Sequence, residues 1–194
     1  YDGDGVDDMP GLVFPIRYYE VINEATARPE WQDLEVYKEY YVKAYEAIKE
    51  ACNECMVALS SFIGPHREYL TFLKENGLKF DFLSYHCYSD YLGVDDLMDI
   101  LHELGWEDVE IWLTESQFGG MSEKLNRTEE EVAEALVKSY AYALAKGLDK
   151  VMPSEIDAKD YYPEGLKYSC LIDVDGRKRP SFYAYKTLIA KIDG

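Results

Sequence analysis

Residues 80–88 read Phe80-Asp81-Phe82-Leu83-Ser84-Tyr85-His86-Cys87-Tyr88, and residues 109–115 read Val109-Glu110-Ile111-Trp112-Leu113-Thr114-Glu115. Each begins as a short run of aromatic and branched apolar residues, the signature of a buried strand, here 80–85 and 109–114. Each then turns polar: His86 and Tyr88 follow the first run, and Glu115 follows the second. Between them, residues 94–104 have helical periodicity and are stopped by Gly105, the residue type favoured just past a helix C-terminus.

The same unit recurs on both sides. Residues 16–22 read as a strand that leads into Asn23-Glu24. A helix over 33–51 carries Leu34, Tyr37, Tyr41, Ala44, Tyr45 and Ile48 at helical spacing. A strand at 56–59 precedes a helix at 68–76 that Gly77 ends. C-terminally, Thr128-Glu129-Glu130-Glu131 is a capping box opening a helix to about Lys146. A strand at 148–152 leads to Ser154, Glu155 and Asp157. Pro180 then opens a final helix over 181–191. Strict strand–helix alternation predicts a parallel sheet with helices packed outside it.

An open doubly wound sheet and a barrel both satisfy that alternation. The first announces its ligand site with a Gly-rich turn after the first strand, which is missing. The second carries its useful polar residues at the C-terminal ends of several strands, and here they stand after the first, third, fourth and fifth. The expected fold is therefore an α/β (β/α)8 TIM barrel, of which residues 1–194 supply one catalytic-barrel domain with about the last five β/α units. Five units leave two sheet edges and an apolar interior uncovered. About three units are expected to precede Tyr1, or a second chain to cover the gap.

The 194 residues are 47% hydrophobic and 30% charged, an ordinary globular balance. A net charge of −18 disfavours nucleic acid and anionic membranes as partners. No apolar run reaches the roughly 20 residues that span a bilayer. Cys52 and Cys55 form a lone CxxC without the further Cys or His ligands of a zinc site, and are expected to be inert or bonded to each other. The compartment is left open. The Asp- and Gly-rich segment from Asp2 to Asp8 has the look of a calcium loop but departs from the EF-hand pattern. Asn126-Arg127-Thr128 matches a glycosylation sequon.

The segment Tyr-Glu-Val-Ile-Asn-Glu-Ala (19–25) resembles the Asn-Glu-Pro signature that ends the fourth strand of clan-A retaining glycoside hydrolases. Phe-Leu-Ser-Tyr-His-Cys-Tyr (82–88) resembles that clan's sixth strand, and Ile-Trp-Leu-Thr-Glu-Ser (111–116) its seventh. The tail from Leu171 to Tyr185, with Gly176 followed by Arg179-Pro180 and aromatics, resembles the return after strand eight. The ordered motifs cover about residues 16–191, and the β-xylosidase and α-L-iduronidase-like branch is the nearest in pattern. The resemblance implies a glycosidase acting on a carbohydrate, with Glu24 as acid/base, Glu115 as nucleophile and Asn23 bonding the sugar's 2-hydroxyl. His86, Tyr88 and Trp31 are further candidate substrate contacts. Neither cofactor nor metal is implied. The acid/base role calls for a raised Glu24 pKa, with the Glu115 charge as its source.

Departures are visible. Ala25 stands where the clan has Pro, and Ile22 where it usually has Trp. Residues 151–157 lack the aromatic that floors the sugar site, for which Tyr161 or Tyr162 could substitute. These departures motivate one alternative, a barrel without catalysis that binds carbohydrate or acts as a scaffold; the Asp cluster at 2–8 and His86 motivate another, a metal-dependent barrel enzyme. Residue by residue, Glu24 alone could be a helix-terminal carboxylate, Glu115 a buried ion-pair partner, and His86 a core histidine.

Overall fold

The computed structural model describes residues 16–88, 90–117, 127–157 and 170–192. Its strands are β1 (Tyr18–Glu20), β2 (Met56–Ala58), β3 (Phe62–Ile63), β4 (Leu83–Cys87), β5 (Ile111–Ser116) and β6 (Lys150–Val151). Its α-helices are α1 (Leu34–Ala51), α2 (Arg67–Glu75), α3 (Val94–Leu104), α4 (Glu129–Ala145) and α5 (Pro180–Ile192). All ladders are parallel, in the order β1–β2 and β3–β4–β5–β6, and an Ala58–Phe82 bridge joins the two sets. Neighbours in the sheet are thus neighbours in sequence. With right-handed crossovers, an order that never reverses puts every connecting helix on one face, as in a barrel. A doubly wound sheet needs a reversal, and the described strands contain none.

Side-chain alternation separates the two faces. Leu83, Tyr85, Ile111 and Leu113 belong to the large core shared with the helices, where Tyr37, Tyr41, Tyr69, Leu97, Leu136 and Tyr140 meet them. Ala58, Phe82 and Trp112 form a second cluster on the other face, with Met56 and Met152 against it. Tyr18 packs on Trp112, and the Lys150 ammonium lies over the same indole. This apolar floor is the inside of the barrel wall. Above it, Ser84 Oγ bonds Thr114 Oγ1 at 2.8 Å and donates to the Glu20 carboxylate.

The expected strand at 56–59 is broken into β2 and β3. Ser60 and Ser61 withdraw from the ladder because their backbone groups are used elsewhere. The Ser60 amide donates to Tyr37 Oη, the Ser60 carbonyl accepts from Tyr69 Oη, and the Ser61 carbonyl accepts from the Ala25 amide. β4 and β5 each run beyond the expected ends at 85 and 114, so His86 and Glu115 lie within strands. The capping box at Thr128 and Glu131 forms in both directions. Cys52 and Cys55 are disulfide-bonded between α1 and β2. Arg177 and Arg179 clamp Glu129 at the start of α4, and Arg177 also pairs with Asp173. That cluster fixes the turn at Gly176 from which α5 starts.

The Asp2–Asp8 segment, Asn126, Tyr161 and Tyr162 lie outside the described residues. No helix among those described is long and apolar enough to cross a membrane.

Candidate active site

Strand polarity gathers the polar ends of β1, β4 and β5 at one mouth. Along β5 the inward residues start as Trp112 and Thr114, so strict alternation would send Glu115 outward, toward the helices. A register shift intervenes: Tyr85 pairs with Leu113, but His86 pairs with Glu115. Thr114 is therefore the extra residue of a bulge, a device that re-aims a side chain. Ser116 consequently turns outward, where its hydroxyl meets Tyr140 of α4 at 2.6 Å. Glu115 joins His86 on the inner face.

Glu24 is placed differently. It follows β1 in a left-handed backbone conformation, φ 53° and ψ 51°, which costs a residue with a Cβ roughly 1–2 kcal/mol. Its amide donates to Ser61 Oγ at 2.9 Å, and the next amide, of Ala25, donates to the Ser61 carbonyl at 3.0 Å. Asn23 is exposed, and its Oδ1 accepts a long bond, 3.5 Å, from the same serine hydroxyl. The strained turn is thus held by β3's approach rather than by its own sequence.

The carboxyls meet around Tyr88. Its Oη stands 2.7 Å from Glu24 Oε1 and 2.6 Å from Glu115 Oε1. A phenol has one proton, so both contacts are satisfied only when one carboxyl is itself protonated and donates to the phenolic oxygen. The single phenol thus ties the two acids to one another. His86, 2% exposed, directs Nδ1 to Glu24 Oε1 at 3.0 Å and lies 3.6 Å from Glu115 Oε2. One ligand atom each from Glu24, His86 and Glu115 lie within 4.8 Å of one another, a set that could also receive a metal ion.

The electrostatics depart from expectation at Glu24. Burial is the largest influence and raises its pKa. Hydrogen bonds from His86 and Tyr88, with the positive charges of His86 and Arg28, outweigh it, so the carboxyl is held below the usual 4.5. The expected rise does not occur because donors, rather than the neighbouring carboxylate, dominate its surroundings. For Tyr88, burial and then the bonds to Glu115 and Glu24 push the phenol far above its ordinary value, so it stays a neutral donor.

Of the residues singled out from the sequence, Glu24, His86, Tyr88 and Glu115 converge, and Asn23 borders them. Trp31 packs edge-on against Tyr40 of α1, with ring centroids 5.0 Å apart. His66 caps α2 through its side chain. Ser61 was not anticipated. Its only trace in the sequence is a polar Ser60-Ser61 pair interrupting the apolar run from Met56 to Ile63.

No family model matches the chain, and no curated protein does. Solved structures do. A GH39 β-xylosidase from Caulobacter crescentus aligns over 90% of this chain and 42% of its own, with TM-score 0.72 and 21% identity. The GH39 enzyme from Xanthomonas axonopodis pv. citri covers 90% and 41%, with TM-score 0.70 and 17% identity. A glucosidase from Croceicoccus marinus covers 86% and 39%, with TM-score 0.68 and 18% identity. At these identities the likeness is one of fold. The chain has the parallel α/β fold of the C-terminal portion of a TIM-barrel glycoside hydrolase and spans about two fifths of the matched structures' length.

Proposed function

From that fold and the paired carboxyls, we propose that the protein is a retaining glycoside hydrolase acting on O-glycosidic bonds. The observation that carries the reading is the approach of Glu24 and Glu115 around one phenol, with a carboxylate oxygen of each within 4.8 Å. Retaining enzymes hold their carboxyls about 5–5.5 Å apart, whereas inverting ones need about 6.5–9.5 Å to admit a water. Glu115 attacks the anomeric carbon while Glu24 gives its proton to the departing oxygen. Glu24 then takes a proton from the incoming water, which releases the sugar with its configuration retained. A bound sugar excludes water from Glu24 and so strengthens burial, the influence that favours its protonated form. Tyr88 holds the two carboxyls in register, His86 orients Glu24, and Asn23 and Trp31 remain candidate sugar contacts.

The sheet is completed by further β/α units, of the same or another chain. Edge strand β1 and the region after β6 expose Ile16, Tyr18 and Ile156, the surfaces such units would cover.

Hydrolysis of an aryl-glycoside panel by the protein and its Glu115→Gln variant tests the reading. Turnover of one glycoside that disappears in the variant is expected; turnover unchanged by the substitution contradicts it. The grouped donor atoms of Glu24, His86 and Glu115 favour metal-dependent chemistry as a second reading, which requires that the same turnover be abolished by a chelator and restored by a divalent ion. If no glycoside is cleaved but one is bound, the site is a carbohydrate-binding one.

A further inference from the structure

We infer that Ser61 is the positioning residue for the proton-transfer carboxyl, an inference that rests on the hydrolase reading above. Ser61 is fully buried, so bulk water does not compete for its hydrogen bonds. It meets the Asn23-Glu24-Ala25 turn at each residue: its hydroxyl accepts from the Glu24 amide and donates to Asn23 Oδ1, and its carbonyl accepts from the Ala25 amide. A serine hydroxyl accepts and donates through one oxygen, as the two contacts on Ser61 Oγ require.

The bond matters because of the backbone it holds. Glu24 has a left-handed φ of 53° that a residue with a Cβ adopts only under constraint. If the turn relaxes to an ordinary conformation, the Cα–Cβ direction swings and the carboxyl leaves Tyr88 and His86. The neighbouring Thr26 Oγ1 accepts from the Ile63 amide at 3.2 Å, a second stitch that keeps the loop attached when the first is cut. Ser61 is free for this work because β2 and β3 are interrupted at it. The break in the strand and the strain at Glu24 are two sides of one contact.

A merely structural serine and a positioning serine differ in what they change. Loss of proton donation penalises departure of a poor leaving group far more than of an activated one, because the latter leaves without protonation. Ser61→Ala should lower kcat/KM for a phenyl glycoside by about 10²-fold, the cost of a small misplacement of a reacting group. kcat/KM for the dinitrophenyl glycoside of the same sugar should stay near that of the parent. Ser61→Thr, which keeps the hydroxyl, should restore the phenyl rate. Amide hydrogen exchange gives a readout independent of activity: exchange at Glu24 should accelerate in Ser61→Ala and remain slow in Ser61→Thr, while Ala25, bonded to the Ser61 carbonyl, stays protected. Equal losses on both glycosides, no loss, or unchanged exchange at Glu24 overturns the inference. Turnover unaffected by Glu115→Gln would instead defeat the hydrolase reading, and the exchange measurement would then decide the clamp alone.

Discussion

The two ends of the sheet use carboxylates for opposite purposes. At the base, where strands begin, Asp81 Oδ2 accepts from the Val57 amide at 2.8 Å and pairs with Lys49, while Asp149 Oδ2 accepts from the Ile111 amide at 2.7 Å. Each stands just ahead of one strand and caps the start of its neighbour. The Cys52–Cys55 disulfide and the Arg17–Glu54 pair lie at the same end. At the mouth, Glu24 and Glu115 meet a phenol, an imidazole and each other, with few backbone partners. An acid satisfied by an amide or a lysine is finished as a structural element. Two acids that share one neutral phenolic donor keep oxygen lone pairs available for a bound molecule. In a barrel the base thus reads as stability and the mouth as chemistry.

Substitutions at the two ends should therefore separate activity from stability. The largest effect is expected from Glu115→Gln, which should lower kcat/KM by on the order of 10³-fold or more while leaving the thermal transition in place. A parallel collapse of stability would break the contrast. Tyr88→Phe removes the donor between the carboxyls and should cost about 10²-fold in kcat, comparable with the loss of one preorganised transition-state donor. Asp81→Ala should do the reverse, lowering unfolding free energy in urea by roughly 1–3 kcal/mol, because the buried Val57 amide loses its acceptor. Its kinetic constants should be unchanged.

The smallest effect sharpens the comparison by pH. His86→Phe deletes a hydrogen bond and a positive charge that both lower the Glu24 pKa, so the carboxyl should titrate higher. A general acid with a higher pKa keeps its proton to higher pH, so the alkaline limb of kcat/KM should move up. A downward move, or none, would show that His86 does not set the proton affinity of Glu24.

The alternation of strands and helices was legible because it is local: periodicity, Gly stops after α2 and α3, and the capping box at Thr128 all act within a few residues. The convergence of Glu24, His86, Tyr88 and Glu115 was legible because parallel strands carry their C-terminal ends to one place. The bulge at Thr114 was not, since it exists only as a register between β4 and β5. Nor was Ser61, whose partners lie 36 to 38 positions away, or the lowered Glu24 pKa. That shift depends on donors from another strand outweighing burial, a balance that no spacing encodes. The β2–β3 break was missed for the same reason. Its cause is Tyr37, Tyr69 and the Glu24 turn claiming backbone groups that a strand would otherwise use.

The central claim is that the carboxyls are poised for a covalent glycosyl intermediate on Glu115. It is tested most directly by incubating the protein with an activated aryl glycoside carrying fluorine in place of the hydroxyl next to the anomeric carbon. That substitution slows release of the intermediate enough for intact-mass and peptide analysis. The account predicts one added fluorosugar, mapped to the peptide containing Glu115 and absent from Glu115→Gln. Turnover of the parent glycoside with no adduct, or an adduct on another residue, would contradict it.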